Sequence, residues 1–296
     1  MYDLVIVGGG PSGISCAVES RRLGLNVVLI EKKDFGGCVK YARKIENFPP
    51  FYPISGRDLA KKFEDFFLSS NIDFVKDRVE KLSYISQKFI ITLQKNNPIE
   101  TKSVYVATGQ RDKIPDEYIK FKDLIKKSEE AFCEDYENRE VLVYGGGDVA
   151  FDLSLSLAEL KAKVVIFSRG EIKAKPCLVK EAQEKGILFK KKCELQSIEL
   201  LDERKLVVIK DPCSQIEIYV DEIIFAVGKE PEMPLFELPF EFERGSFSQI
   251  ATFEKIGLFA GGDLIRGRNR NVGIAVGDGI SAAFAITNFL KGEKND

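Results

Sequence analysis

The sequence predicts an α/β protein built from two parallel-sheet units, and two observations carry that prediction. The first is a strand, a glycine turn, a helix and a second strand in that order at the N-terminus, in YDLVIVGGGPSGISCAVESRRLGLNVVLIEKK. The second is the return of the same pattern 137 residues later, in REVLVYGGGDVAFDLSLSLAELKAKVVIFSRG. At 296 residues the chain is long enough to hold two domains, each with its own core.

In the first repeat, DLVIV and NVVLI are unbroken apolar runs, as expected of strands buried on both faces. Between them Gly8, Gly10 and Gly13 spell G-x-G-x-x-G, and an apolar-periodic helix runs to about Leu23. Gly8 permits a tight turn, Gly10 lets backbone approach a pyrophosphate, and Gly13 lets the helix lie close to the sheet. Pro11 near the helix start costs nothing, because that N–H has no intrahelical acceptor. Glu31 ends the second strand, where an acid binds the hydroxyls of an adenosine ribose. The glycine pattern alone is weak evidence; with strand, helix, strand and terminal acid in order it is strong.

In the second repeat EVLVY is the strand, Gly145 and Gly147 make the turn, Ala150 stands where the third glycine was, and KVVIF is the second strand. Both repeats are predicted to be Rossmann-like three-layer domains. Two such sites suggest two nucleotides exchanging electrons; the alternative is a degenerate, empty second site. Elsewhere KFIITL, SVYVATG, KLVVIK, IEIYV and EIIFAVG read as short strands. DLIKKSEEAFCEDYENRE is polar and reads as a crossover and domain boundary, and the tail reads as a strand, a loop and a small-residue helix.

Composition narrows the chemistry. The chain has no histidine, which excludes His-based triads and imidazole metal sites and removes the commonest general base. A cofactor, a thiol, a carboxylate or a lysine must carry the reaction, and electron transfer fits that restriction. A net charge of −2 argues against nucleic acid as a partner. Six cysteines, Cys16, Cys38, Cys133, Cys177, Cys193 and Cys213, contain no Cys-x-x-Cys and no metal-like spacing, and are expected to be reduced thiols of a cytoplasmic protein. The apolar runs are taken as strand-length, so no membrane span is expected, and the strand beginning at residue 3 leaves no room for a signal peptide.

With VIVGGGPSGISCA, GGCVKYARKIENFPPFYPISGRDL, VYVATG, VYGGGDVAFD, IIFAVG, LFAGGD and GIAVGDGISAA in order, the chain resembles the thioredoxin-reductase-like branch of the two-dinucleotide flavoproteins over nearly its whole length. The resemblance implies a discontinuous FAD domain, residues 1–112 and 240–296, with an NAD(P) domain, 113–239, inserted in it. Two short linkers would act as a hinge between them, and relatives are usually homodimers. It places FAD against Gly8, Gly10, Pro11, Ser12, Gly13, Glu31, Lys32, Gly37, Cys38 and Val79, with Asp263 and Gly262 at the ribityl chain. Asn271, Val272 and Ala275 fall where a helix N-terminus faces the pyrimidine end of the flavin, Asn47 at the isoalloxazine, and Thr108 and Gly109 at a strand-end turn passing close to FAD. NAD(P) would meet Gly145, Gly147, Asp148, Val149, Ala150, Arg169 and Gly228.

The sequence departs from the family at the thiols. Where relatives carry Cys-x-x-Cys before the second glycine turn, this chain reads Glu130, Ala131, Phe132, Cys133, so a vicinal disulfide lacks its partner. Cys38 after Gly36-Gly37 has three readings: a small hydrophobe beside FAD, a thiol that tunes the flavin, or a partner for Cys133. Family members without the cysteine pair include ferredoxin or flavodoxin NADP reductases, which usually carry a C-terminal extension over the flavin. That makes an FAD enzyme feeding a small acidic redox protein the expected function. The alternatives are an atypical disulfide reductase using Cys38 or Cys133, and a flavin electron-transfer subunit that does not itself use NAD(P)H. Of the relatives' arginines for a 2′-phosphate only Arg169 remains, with Lys173 and Lys175 nearby, while Glu171 points towards a free ribose hydroxyl; NADPH and NADH both stay open. Arg266, Arg268 and Arg270 form either a basic docking edge for an acidic carrier or a solvated loop, or spend one arginine on the FAD phosphates.

Overall fold

A computed structural model describes residues 1–133, 135–238, 253–267 and 269–292, with backbone alone at 132 and 133. The chain divides into two compact units: Met1–Lys40, Lys44–Arg111 and Pro231–Asp296 make the first, and Tyr41–Arg43 with Asp112–Glu230 make the second. The boundary expected between 239 and 240 lies outside the described residues, and Pro231 already belongs to the first unit.

In the first unit, β1 (Tyr2–Val7), β2 (Val27–Glu31), β3 (Asp73–Lys76) and β6 (Ile99–Val106) run parallel. β1 lies between β2 and β6, with Val7 paired to Ile30 on one side and to Val106 on the other. β4 (Val79–Ile85) and β5 (Lys88–Leu93) extend the sheet as an antiparallel hairpin, and β17 (Leu235–Glu237) and β18 (Leu258–Ala260) complete its eight strands. Leu4, Val5, Ile6, Val28 and Leu29 are wholly buried, as unbroken apolar runs require.

Helix α1 (Pro11–Arg22) starts from Gly10 with proline in its first turn. α2 (Gly56–Leu68) is capped by the Ser55 hydroxyl, which accepts from Asp58 N–H at 3.0 Å. In the second unit come α3 (Asp148–Glu159) and α4 (Pro176–Glu184). Back in the first, α5 (Val272–Lys291) is capped by the Asn271 side chain and ends at Gly292, whose φ of 74° is left-handed.

α5 corrects the expectation that apolar runs are strand-length: by length and composition alone it is long enough to cross a bilayer, with mean hydropathy 1.4. One side of it packs on α1. A Cβ on Gly279 would lie 2.1 Å from the Ser12 carbonyl oxygen, so the two backbones nearly touch. The apolar residues of α5 come in short runs in the sequence, because glycines, Asp278, Ser281, Thr287 and Asn288 interrupt them.

In the second unit a five-stranded parallel sheet runs β11 (Leu188–Lys190), β10 (Lys163–Phe167), β9 (Glu140–Tyr144), β15 (Glu222–Phe225), β8 (Lys126–Lys127). A three-stranded antiparallel meander, β12 (Glu194–Leu201), β13 (Arg204–Lys210) and β14 (Gln215–Val220), follows β11 in the chain. Buried Tyr144 ties sheet to meander: its hydroxyl donates to the Cys193 carbonyl at 3.0 Å and accepts from Leu195 N–H at 3.2 Å. Tyr41–Arg43 joins this unit through Arg43, whose N–H donates to Asp152 at 2.9 Å and whose guanidinium binds Glu159 at 2.9 Å and Glu181 at 2.7 Å. The chain passes between the units through β7 (Gln110–Asp112) and β16 (Lys229–Pro231), which pair as a two-stranded ribbon.

Substituting Gly279→Val tests the α1–α5 approach. The added side chain has to displace the Ser12 carbonyl, so stability falls by about 1–3 kcal/mol, read as a lower urea midpoint. An unchanged midpoint would show that the helices do not approach this closely.

Candidate dinucleotide sites

In an open parallel sheet, ligands bind beyond the carboxyl ends of strands where the strand order reverses. β1 in the first unit and β9 in the second are such strands, each with neighbours on both sides that connect in opposite directions. Both glycine turns leave from those ends.

In the first unit, Gly8 has φ +113°, and a Cβ there would lie 2.4 Å from the Ala107 carbonyl oxygen. A Cβ on Gly13 would lie 1.9 Å from the Gly8 oxygen, so the first turn of α1 is held against the end of β1. Gly10, the N-cap, supplies no side-chain hydrogen bond, and the first-turn amides beyond Pro11 point outward for an anion. Gly37 faces it: a Cβ on Gly37 would lie 3.3 Å from the Gly10 Cα. Two backbones bare of side chains at a helix N-terminus fit a pyrophosphate.

The strand-end acid is oriented from behind. Glu31 accepts from Gly9 N–H at 2.6 Å and from Lys33 N–H at 2.8 Å, leaving lone pairs for hydroxyl donors. Beside it opens a cleft lined by Glu31, Lys32, Asp77, Arg78, Val79 and Thr108. Glu232 closes one wall, ion-paired to Lys32 and to Arg78, with the Thr108 hydroxyl on its carbonyl. Asp77 is buried and accepts from the amides of Arg78, Lys95 and Asn96 and from the Asn96 side chain. Asp77, Arg78 and Glu232 were not singled out in the sequence, because only the fold brings these chain segments together.

The other end of the site lies at α5. Gly262 and Asp263 form a 3-10 turn after β18, with Gly262 at φ +66° against Ser12. The Ser12 and Tyr105 hydroxyls are 2.6 Å apart, and burial pushes the Tyr105 phenol well above its ordinary value. Asp278 accepts from Gly262 N–H at 3.0 Å. Asn271 accepts from Gly273 N–H at 2.7 Å, Val272 opens α5, and Ala275 is buried behind them. Asn47 is exposed in a bend of the Ile45–Ile54 hairpin, next to Phe48, whose ring lies 4.0 Å from where a Cβ on Gly273 would be. Gly109 has φ +68° with open space about it. The next residue, Gln110, donates from its side chain to the Asp263 carbonyl at 2.9 Å. Cys38 is exposed and donates its thiol proton to the Gln110 carbonyl at 3.5 Å.

The second unit repeats the device with changed side chains. Gly145 has φ +158°, and a Cβ there would lie 2.2 Å from the Ala226 carbonyl oxygen. Gly147 caps α3 without a side-chain bond and has open space around it, which fits an exchangeable dinucleotide. Ala150 is buried, Val149 exposed, and Gly228 lies at φ +129° in open space. Gly8 N–H donates to Ile30 as Gly145 N–H donates to Phe167, so the residue matching Glu31 is Ser168. Glu171 lies beyond that position and is held by Lys191 at 2.6 Å and Lys192 at 3.4 Å. Arg169 pairs with Glu117, and Lys175 with Asp148 at 3.5 Å. Lys173 makes no ion pair among the described residues, and its N–H donates to the Gly146 carbonyl at 2.7 Å.

Three further expectations meet particular geometry. Glu130, where relatives carry a cysteine, accepts from Lys127 N–H at 2.7 Å and closes the turn leading into the 3-10 helix Glu130–Cys133. The Cys133 side chain, and with it any pairing to Cys38, lies outside the described residues. Of the proposed basic edge, Arg268 is also outside them, and Arg266 is spent on Asp278, Nε to Oδ2 at 2.9 Å.

A family model for pyridine nucleotide-disulphide oxidoreductases matches residues 2–279. The chain is 26% identical to the 34.2 kDa protein in the rubredoxin operon of Clostridium pasteurianum, over 98% of each chain. It is also 26% identical to the thioredoxin reductase of Mycoplasma genitalium, over 97% of this chain and 94% of that one. Among solved structures, Lactococcus lactis thioredoxin reductase in its FR conformation superposes with TM-score 0.85 at 26% identity, covering 99% of this chain and 100% of that one.

Thiol chemistry gives a direct check of the geometry. Burial pushes Cys16 up to about 12, although Ser20 is nearby, while Cys38, Cys177 and Cys213 are exposed. Dithionitrobenzoate at pH 7 is expected to modify the exposed three in the native protein, with one equivalent lost in Cys38→Ser, and Cys16 only after denaturation. The stabilisation from burying Cys16 protonated is full below its ordinary value of 9.0 and is lost as pH rises towards about 12. Rapid native modification of Cys16 would contradict the packing of α1.

Proposed function

This chain belongs to the pyridine nucleotide-disulphide oxidoreductase family, and on that premise we propose that it passes electrons from NAD(P)H to a small redox protein of the ferredoxin, flavodoxin or rubredoxin kind. It is an FAD-dependent oxidoreductase of the thioredoxin reductase class. One observation carries the choice of acceptor: the cysteine pair of a disulfide reductase is missing, and Glu130 stands in its first position as a turn-closing acceptor. The Clostridium pasteurianum relative supports it, since its gene lies in a rubredoxin operon.

FAD, when bound, supplies the chemistry by taking two electrons from the nicotinamide and releasing them onward. The residues of the chain bind and orient. The N-terminus of α1, between Gly10 and Gly37, would hold the pyrophosphate, Glu31 the ribose hydroxyls, and Asp263 the ribityl chain. The N-terminus of α5 would carry its partial positive charge to the ring end. Gly145 and Gly147 would receive the nicotinamide dinucleotide. Among the described residues Lys173 makes no ion pair and would meet a 2′-phosphate, whereas the neighbouring Arg169 and Lys175 already carry acids.

Anaerobic titration of the yellow holoprotein with NADPH and NADH separately identifies the donor by bleaching of the flavin band. Ferredoxin, flavodoxin and rubredoxin are then offered against thioredoxin and dithionitrobenzoate. Wild type and Cys38→Ser are expected to reduce one of the first group at equal rates. Turnover confined to the disulfides, and lost in Cys38→Ser, would sink the proposal in favour of a thiol mechanism. With NADPH as donor, Lys173→Ala is expected to raise KM for NADPH about tenfold and leave that for NADH unchanged.

A further inference from the structure

We propose that Gln110 is a positioning residue: it fixes Arg270 and the Asp263 turn against the flavin ring and so sets the flavin's reduction potential. The proposal rests on the placement of the ring end at α5 given above. The side-chain amide N–H of Gln110 donates to the Asp263 carbonyl at 2.9 Å. Its amide oxygen accepts from the Arg270 guanidinium. Its backbone carbonyl accepts the Cys38 thiol at 3.5 Å. One residue thus joins the loop that carries Cys38, the Asp263 turn and the segment leading into α5.

The amide is suited to this. It donates to a carbonyl and accepts from a guanidinium at once, and it adds no charge. A carboxylate would lack the donor and would neutralise Arg270; an apolar chain would give up both bonds. The backbone beneath it is fixed as well, since Glu232 N–H donates to the Gly109 carbonyl at 3.1 Å.

Arg270 explains what the positioning is for. It stands immediately before the N-cap Asn271, and a cation at a helix N-terminus is opposed by the helix dipole. Among the described residues no carboxylate offsets it, whereas Arg266, four residues earlier, has Asp278. A cation held against its local preference is balanced once an anion is placed before it. The ring end of a reduced flavin is such an anion, and Arg270 stabilises it only while Gln110 holds the guanidinium in place.

The test uses holoprotein and four chains: wild type, Gln110→Met, Arg270→Met and the double variant. The flavin is titrated spectroscopically against reference dyes, with FAD content and thermal midpoint measured alongside. Each single variant is expected to retain FAD and to make the flavin harder to reduce, its reduction equilibrium constant falling about tenfold, the scale of one charge-assisted contact. The double variant is expected to fall no further than Arg270→Met, because the two residues act as one unit. Unchanged potentials, or additive falls, overturn the role of Gln110. Should Gln110→Met lose its FAD, Gln110→Asn, whose amide is one methylene short, must show the same shift or the proposal fails. Asp263→Ala separates the two readings: if it keeps FAD as tightly as wild type, the ring placement is wrong and the proposal goes with it.

Discussion

The site depends on a shortage of space. The N-terminus of α1 is useful to a phosphate only if it starts where β1 stops, and that requires backbone to lie on backbone. Positions 8, 13 and 279 are where this happens: Cβ atoms there would lie 2.4, 1.9 and 2.1 Å from carbonyl oxygens of Ala107, Gly8 and Ser12. Glycine at each is the condition for α1 to be wedged between the end of the sheet and α5. The same contacts bring Ser12 beside Gly262, so the turn that carries Asp263 is set by the packing that sets the phosphate site. Fold and site are one constraint seen from two ends.

Repetition of that constraint shows what is scaffold and what is recognition. In both units the loop after the second strand returns to the middle glycine, Gly36 N–H to the Gly9 carbonyl at 2.8 Å and Lys173 N–H to the Gly146 carbonyl at 2.7 Å. The backbone device is therefore kept. The strand-end residue is not: Glu31 in one unit is Ser168 in the other, buried, with its hydroxyl 2.4 Å from where a Cβ on Gly146 would be. The first turn keeps a carboxylate, which the ribose contact proposed for Glu31 requires. The second offers no carboxylate at that place, so discrimination falls to the loop that follows it.

These differences explain which parts were legible in the sequence. Strands such as DLVIV and the glycine turns are written locally, in runs and spacings that sterics make nearly obligatory. The position of Glu31 followed from counting along one strand. Gln110, Tyr105 and Glu232 carry no local signal, because each acts on residues far away in the chain: Gln110 on Asp263, Tyr105 on Ser12 and Glu232 on Lys32. Glu171 lies three residues past Ser168 in the chain, and only the fold shows that Lys191 and Lys192 stand beside it. In α5 glycines and polar residues break the apolar run, and one of those glycines, Gly279, lets it approach α1.

The arginines after Asp263 differ in what the fold does with their charge. As a string they look like a basic edge for steering an acidic carrier. In the fold Arg266 is locked to Asp278, and a paired arginine adds little to the field at a distance. Among the described residues Arg270 has no acid partner, and it stands at the helix end where the flavin ring is proposed to lie. A carrier drawn to this face would be drawn by the same cation that favours the reduced ring. Recognition of the acceptor and the driving force for reducing it would then share one side chain, oriented by one amide. A substitution there shifts encounter rate and potential together, so its effect on turnover cannot be assigned to docking until the potential is known.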